Sequence, residues 1–199
     1  MTTVPADAPG ADPLSVFDRW HREAAGVIDD ADAMVLATAS REGRPSARYV
    51  LLRGITHEGV RFYTNYQSRK GAEIAENPSA AAAWFDGAHR RQVRLEGSIL
   101  RLDPALSDAY FASRDRGHQL GAVASNQSHV LSGREELEGA YAAAEARFEG
   151  REVVRPAHWG GYLLAASTVE LWTQRQDRLH DRFLYTHGPD GWDVARLAP

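Results

Sequence analysis

An apolar run ends at Glu170-Leu171-Trp172, and a few residues later comes Arg178-Leu179-His180-Asp181-Arg182. On an extended segment residues i, i+2 and i+4 share a face, so Arg178, His180 and Arg182 are expected to converge. A cationic cluster beside an indole suits an anionic, planar ligand better than a protein core. The expected occupant is a cofactor or substrate carrying a phosphate.

Other groups point the same way. Ser68-Arg69-Lys70 places two cations at the predicted first turn of a helix, where the macrodipole prefers anions. Free backbone N–H groups with Arg69 and Lys70 make a phosphate site; a solvated basic turn is the plainer reading. Arg48 and Arg53 differ by an odd number of positions, so a regular strand puts them on opposite faces, serving two anions or none. Gln92 lies on an alternating strand, and its amide can both donate and accept at the edge of a heteroaromatic ring. Gln127-Ser128 is a similar polar pair, or loop filler. Tyr110 and Arg114 stand one helical turn apart and could hold one anion together, or simply pack on each other.

Several chemistries are disfavoured. The 199 residues contain no cysteine, which removes disulfides and thiol nucleophiles and suits a reducing cytosol. The eight histidines lack ligand spacing, so no metal is expected. Neither a Walker loop nor G-x-G-x-x-G is found, and Ser128-His129 adjacency makes no triad. A net charge of −4 argues against nucleic acid as a partner, although arginines cluster locally, as over 90–94 and 175–182. Hard chemistry is therefore expected from a cofactor. No apolar run reaches membrane-spanning length, and residues 1–11 lack a signal-peptide pattern. A cytoplasmic protein is expected, with 1–11 a disordered tail and 12–199 one domain.

The elements that must position these residues are mainly strands. Alternating or β-branched runs predict strands over 33–38, 46–52, 60–65, 80–85, 92–102 and 159–172, with a last hairpin pairing 182–186 with 192–197. The early connections are too short for crossover helices, so the pairing should be antiparallel. Helices are predicted over 12–25, capped by Asp12, and over 68–77, capped by Ser68. Two more are predicted over 104–113 and 132–148, the latter with Leu137, Tyr141 and Phe148 on one stripe. The fold class is mainly β with peripheral helices, an antiparallel barrel or curled sheet.

Taken in order, Arg48-Tyr49-Val50-Leu51-Leu52, Phe62-Tyr63-Thr64-Asn65, Ser68-Arg69-Lys70, Arg91-Gln92-Val93, Tyr110-Phe111, Gln127-Ser128, Trp159-Gly160-Gly161-Tyr162, Arg178-Leu179-His180-Asp181-Arg182 and Arg196-Leu197-Ala198-Pro199 resemble the pyridoxine/pyridoxamine 5′-phosphate oxidase family. The resemblance runs from Asp12 to Pro199. It implies an antiparallel FMN-binding split β-barrel, a homodimer with flavin at the subunit interface. The positions matching FMN contacts are Arg48, Tyr63, Thr64, Arg69, Lys70, Gln92, Gln127, Ser128, Trp172 and Arg182. Tyr110 and Arg114 match a clamp on the substrate phosphate, while Arg178 and His180 match residues closing over the substrate ring and are the expected catalytic pair. The implied reaction moves hydride from the substrate 4′-carbon to flavin N5. Dioxygen then takes the electrons as hydrogen peroxide, and hydrolysis of the imine yields pyridoxal 5′-phosphate and ammonia.

The match has departures. Arg53 stands where the family usually has a lysine on the substrate phosphate, and His118 where a serine helps it. Phe85-Asp86-Gly87 and Thr173-Gln174-Arg175 also depart from the usual pattern. An oxidase of the same family acting on another substrate, such as a dihydro-aromatic precursor in phenazine biosynthesis, is the alternative reading. A non-catalytic flavin or pyridoxal-phosphate binder is a third.

Overall fold

A computed structural model describes residues 12–199; the tail expected over 1–11 lies outside the described residues. Helix α1 (Pro13–Ala25) starts where Asp12 accepts the Leu14 N–H (3.1 Å) and proline occupies the first turn. Its apolar stripe, Leu14, Phe17 and Trp20, is buried against the sheet. Phe17 meets Trp84 at 5.3 Å between ring centroids, and the Trp84 indole donates to Ala31 O (2.7 Å). Each such side chain contributes roughly 1.5–3 kcal/mol by leaving water.

The strands are β1 (Ala33–Ala39), β2 (Pro45–Leu51), β3 (Ile55–Thr56), β4 (Gly59–Asn65), β5 (Ser79–Asp86), β6 (Arg91–Arg101), β7 (Trp159–Thr173), β8 (Asp181–Gly188) and β9 (Gly191–Arg196). Every pairing among them is antiparallel, as the short connections required. The order is β2-β1-β5-β6-β7-β4-β3, with β8 added on β7 and β9 on β8.

Strand β7 organises the sheet. Its first half, from Trp159 to Ala165, pairs with β4, and its second half, from Thr168 to Thr173, pairs with β8. The two halves of the sheet share this one long strand. Along its other edge β6 runs beside it, and the register shifts by a bulge between Glu96 and Gly97. A Cβ at Gly97 would stand 1.9 Å from the Ala165 carbonyl oxygen, so only glycine fits that crossing.

Four more helices surround the sheet: α2 (Arg69–Glu76), α3 (Pro104–Ala112), α4 (Arg116–Ala124) and α5 (Arg134–Arg147). Phe111, Leu120, Ala144, Phe148 and Trp159 form a second apolar cluster under α3, α4 and α5. The predicted strands and four predicted helices are present, while α4 is an addition. Gly117 and Gly121 lower its intrinsic helicity, so no sequence signal announced it. Packing supplies the difference: Leu120 is buried, and Gln119 Nε2 donates to Phe111 O (2.9 Å). The stripe expected on α5 is narrower than its spacing suggested, because Leu137 is exposed and Ala144 with Phe148 does the packing.

One expectation is overturned. Gln176–Arg178 forms a single 3₁₀ turn, with Asp177 (φ 55°) and Arg178 (φ 61°) both left-handed, and strand geometry begins only at Asp181. Arg178, His180 and Arg182 therefore do not lie on one extended segment, and the i, i+2, i+4 argument fails for them.

Candidate active site

Ser68 caps α2 by accepting the Gly71 N–H (3.4 Å), which brings Arg69 and Lys70 into the first turn. The chain itself answers part of the charge conflict predicted there. Arg69 Nε donates to Glu73 Oε1 (2.9 Å), one turn along, and is otherwise exposed. Lys70 is buried, and its ammonium donates to Thr64 Oγ1 (3.0 Å), Ser68 Oγ (3.1 Å) and Gln127 Oε1 (2.9 Å). All three acceptors are neutral. Burial, then the Arg48 charge, lowers the Lys70 pKa to about 8, with Glu73 opposing.

Glu73 is the hidden member of this group. Thr38, Ser46 (2.6 Å), Arg48 (3.3 Å) and Arg69 all donate to its buried carboxylate. Burial pushes that carboxyl up, but hydrogen bonds from Ser46, Thr38 and Arg69, with the charge of Arg48, hold it down at about 2. Arg48 also donates to Leu36 O (3.1 Å), Thr38 Oγ1 (2.6 Å) and Ser46 Oγ. Among the described residues both terminal nitrogens of Arg48 have acceptors and Nε has none.

Next to Lys70 opens a cavity of about 420 Å³, to which Arg53, Tyr63, Thr64, Tyr110, Arg114, His118 and Gln127 all contribute. Three aromatic rings stack along one wall. Tyr63 lies 3.9 Å from Tyr110 and 5.7 Å from Trp159, with interplanar angles of 21° and 14°. The Arg114 guanidinium lies over Trp159 at 4.7 Å, and its Nη1 is buried without a hydrogen-bond partner. Burial lowers the Arg114 pKa, the Arg53 charge adds to this, and Tyr110 opposes it. An unpaired guanidinium nitrogen beside another arginine makes a surplus of donors, which suits a phosphate.

The remaining candidates lie elsewhere. Gln92, Trp172 and Arg182 are register neighbours across β6, β7 and β8. The His180 ring sits 4.7 Å from Trp172, and its Nδ1 accepts the Arg175 N–H (3.1 Å). Arg182 Nε donates to Glu170 Oε1 (2.7 Å), while its Nη1 donates to Ala198 O (3.0 Å). Arg178 is exposed on the 3₁₀ turn. Ser128 is exposed and left-handed (φ 74°), beside Gln127 but outside the cavity lining. Within the chain the candidates thus lie in two regions, one at the cavity and the Lys70–Glu73 group behind it, and one on the β6-β7-β8 row with the turn before β8.

Among the described residues no group of His, Asp and Glu stands ready to hold a metal ion. No helix there is long and apolar enough to cross a membrane.

Residues 21–148 match the pyridoxamine 5′-phosphate oxidase family, and residues 159–199 match the pyridoxine 5′-phosphate oxidase C-terminal dimerisation region. The chain belongs to the pyridoxamine 5′-phosphate oxidase family. A pyridoxine/pyridoxamine 5′-phosphate oxidase from Rubrobacter xylanophilus is 51% identical over 195 residues, spanning 97% of this chain and 89% of that protein. One from Paraburkholderia phymatum is 47% identical over 189 residues, spanning 94% and 89%. Among solved structures, PhzG from Burkholderia lata 383, in complex with tetrahydrophenazine-1-carboxylic acid, superposes with a TM-score of 0.91 at 30% identity, covering 100% of this chain and 98% of that one. A pyridoxamine 5′-phosphate oxidase-related, FMN binding protein from Nostoc punctiforme superposes with a TM-score of 0.75 at 19% identity, covering 96% and 100%, a likeness of fold. The antiparallel split barrel expected from the sequence is the fold of this family.

Sequence reasoning about the family's motifs missed three members of the cavity's surroundings. Glu73 stands four residues after Arg69, a visible spacing, but its main partners come from β1 and β2. Trp159 reads in sequence as a strand opener within the Trp159-Gly160-Gly161-Tyr162 segment, with no site role given to it, yet it closes the aromatic wall. Asp32 pairs with Arg53 and carries no motif at all.

Proposed function

We propose that this chain is an FMN-dependent oxidase that converts pyridoxamine 5′-phosphate or pyridoxine 5′-phosphate to pyridoxal 5′-phosphate, with dioxygen as acceptor. The observation that carries the reading is the cavity itself: a stacked aromatic wall faced by Arg53 and Arg114, one of whose buried nitrogens has no partner. That combination fits a small planar ring bearing a phosphate. The names of relatives near 50% identity support the same substrate. The likeness to PhzG rests on lower identity, so a phenazine-type substrate is the less favoured reading.

The residues present fit FMN. Lys70 is a buried cation on neutral acceptors only, and Arg69 keeps both terminal nitrogens of its guanidinium for an anion. These two would hold the flavin phosphate at the start of α2, with Thr64, Gln127 and Ser128 beside them and Tyr63 along the wall. Arg48 acts there chiefly through Glu73. When bound, FMN supplies hydride acceptance from the substrate 4′-carbon and onward transfer of the electrons to dioxygen.

The protein's own work is binding, orientation and charge compensation. Arg53, Tyr110, Arg114 and His118 hold the substrate phosphate. Gln92, Trp172 and Arg182 would meet the flavin ring, and Arg178 with His180 would close over the reacting end of the substrate. Because the second set lies outside the cavity of its own protomer, we infer a homodimer with flavin at the subunit interface. Exposed apolar side chains Tyr49, Leu51 and Phe85 on β2 and β5 suit such an interface, as does the match to a dimerisation region. A cysteine-free chain suits a reducing compartment, and we place the enzyme in the cytoplasm.

The test is turnover in air by FMN-loaded protein given either vitamer phosphate, with phosphate-free pyridoxamine as control. Aldehyde and peroxide should form from the phosphorylated substrates, and the control should need a far higher concentration. Equal use of both amines would remove the phosphate clamp from the account.

A further inference from the structure

Arg53 stands where the family resemblance implies a lysine, and its guanidinium is held by two acceptors. Its Nη1 donates to Asp32 Oδ2 and to Leu52 O (3.4 Å). The other oxygen of the same carboxylate, Asp32 Oδ1, lies 3.0 Å from His21 Nε2. His21 belongs to α1 and packs its ring 6.1 Å from that of Trp84, which is itself buried. The main chain is tied as well, since Leu52 N donates to Asp32 O (2.8 Å). Asp32 is thus pinned at both carboxylate oxygens and at its carbonyl, between the core helix and the end of β2.

We propose that Asp32 is a positioning residue for Arg53, holding its guanidinium at the cavity edge so that the substrate phosphate meets it already ordered. This role rests on the reading of the cavity as the substrate-phosphate site. Three physical arguments support it. An arginine has five N–H donors, and Asp32 with Leu52 occupies only Nη1, so Nε and Nη2 stay available to a phosphate. Ordering a long side chain before the ligand arrives removes a cost that binding would otherwise bear. The Asp32 charge also offsets that of Arg53, whose proximity already disfavours the charged form of Arg114. Without Asp32 the two guanidiniums would repel across an empty cavity, and Arg53 would turn to solvent.

Calorimetric titration of the FMN-loaded protein with inorganic phosphate reads this directly, alongside KM and kcat for pyridoxamine 5′-phosphate. Asp32→Ala should weaken phosphate binding and raise KM by about 3- to 10-fold, with flavin content unchanged and the loss in KM rather than kcat. Asp32→Glu should recover most of the loss. The double variant Asp32→Ala/Arg53→Ala should bind no more weakly than Arg53→Ala alone, because Asp32 acts only through Arg53. Should Asp32→Ala not fold, Asp32→Asn, which turns a charge-assisted bond into a neutral one, should still weaken binding about 2- to 4-fold. Unchanged or tighter phosphate binding in these variants, or additive losses in the double variant, would overturn the role. Wild-type protein that binds phosphate in this pattern yet does not oxidise the vitamer would instead overturn the substrate reading and leave the positioning role standing. Wild-type protein that binds no phosphate would overturn both.

Discussion

Lys70 sits behind the cavity lining, with its ammonium on Thr64, Ser68 and Gln127, and burial, aided by Arg48, brings its pKa to about 8. A bound phosphate needs that ammonium charged. FMN affinity of the apoprotein should therefore be flat below pH 8 and fall about tenfold per unit above it, as one proton must be taken up on binding. Flavin fluorescence titrations across pH check this, and Lys70→Met should flatten the dependence while weakening binding. Arg114 gives the second prediction at this scale. Arg114→Ala should raise KM for pyridoxamine 5′-phosphate by at least about 30-fold and leave flavin content intact, because it removes a buried, unpartnered charged donor that we propose meets the substrate phosphate. Flavin loss in that variant would move Arg114 to the cofactor. Residue types were legible at this scale. Ser68-Arg69-Lys70 was legible as a capped helix start that places two cations against the helix dipole. Asp32 and Glu73 were not legible, since their meaning comes from partners 21 to 35 positions away in the chain.

One carboxylate on helix α2 gathers donors from two strands of the sheet. Thr38 on β1 with Ser46 and Arg48 on β2 all donate to Glu73, so deleting it would take the acceptor from two hydroxyl protons and the buried counter-charge from Arg48, which keeps its bonds to Leu36, Thr38 and Ser46. Glu73→Ala should destabilise the apoprotein by about 3–5 kcal/mol, measured by urea unfolding. The pH dependence follows from the direction of its shift. A carboxyl whose pKa is lowered from 4.5 to about 2 adds stability that is fully present above 4.5 and lost as pH falls toward 2. Strand β7 supplies the other device. A Cβ at Gly161 would stand 2.7 Å from Tyr63 Cε1 and 2.5 Å from Leu102 Cδ1, and the stacked Tyr63 ring has little room to yield. Gly161→Ala should displace that ring and cost about 1–3 kcal/mol of stability, with flavin binding weakened as well. Strands, hairpins and caps were readable because their signals are local: alternation, turn residues and Asp12 or Ser68 before a helix. The turn at Gln176–Arg178 was not, because nothing in Arg175-Gln176-Asp177-Arg178 demands left-handed backbone at two non-glycine residues.

Across the whole molecule, the division of β7 between β4 and β8 is what separates the cavity from the Gln92-Trp172-Arg182 row. Local sequence cannot reveal that separation; it is a property of sheet order, and spacing alone spoke only to Arg178, His180 and Arg182. A homodimer that joins the two sets should sediment at twice the chain mass, and dilution to monomers should release the flavin. Flavin retained on a monomer would contradict the shared site. The oxidase reading itself is tested most directly in the absence of air. FMN-loaded protein mixed anaerobically with pyridoxamine 5′-phosphate should lose its flavin colour while forming one pyridoxal 5′-phosphate per flavin, and air should restore the colour with release of peroxide. Flavin that stays oxidised in the presence of saturating substrate would contradict the account.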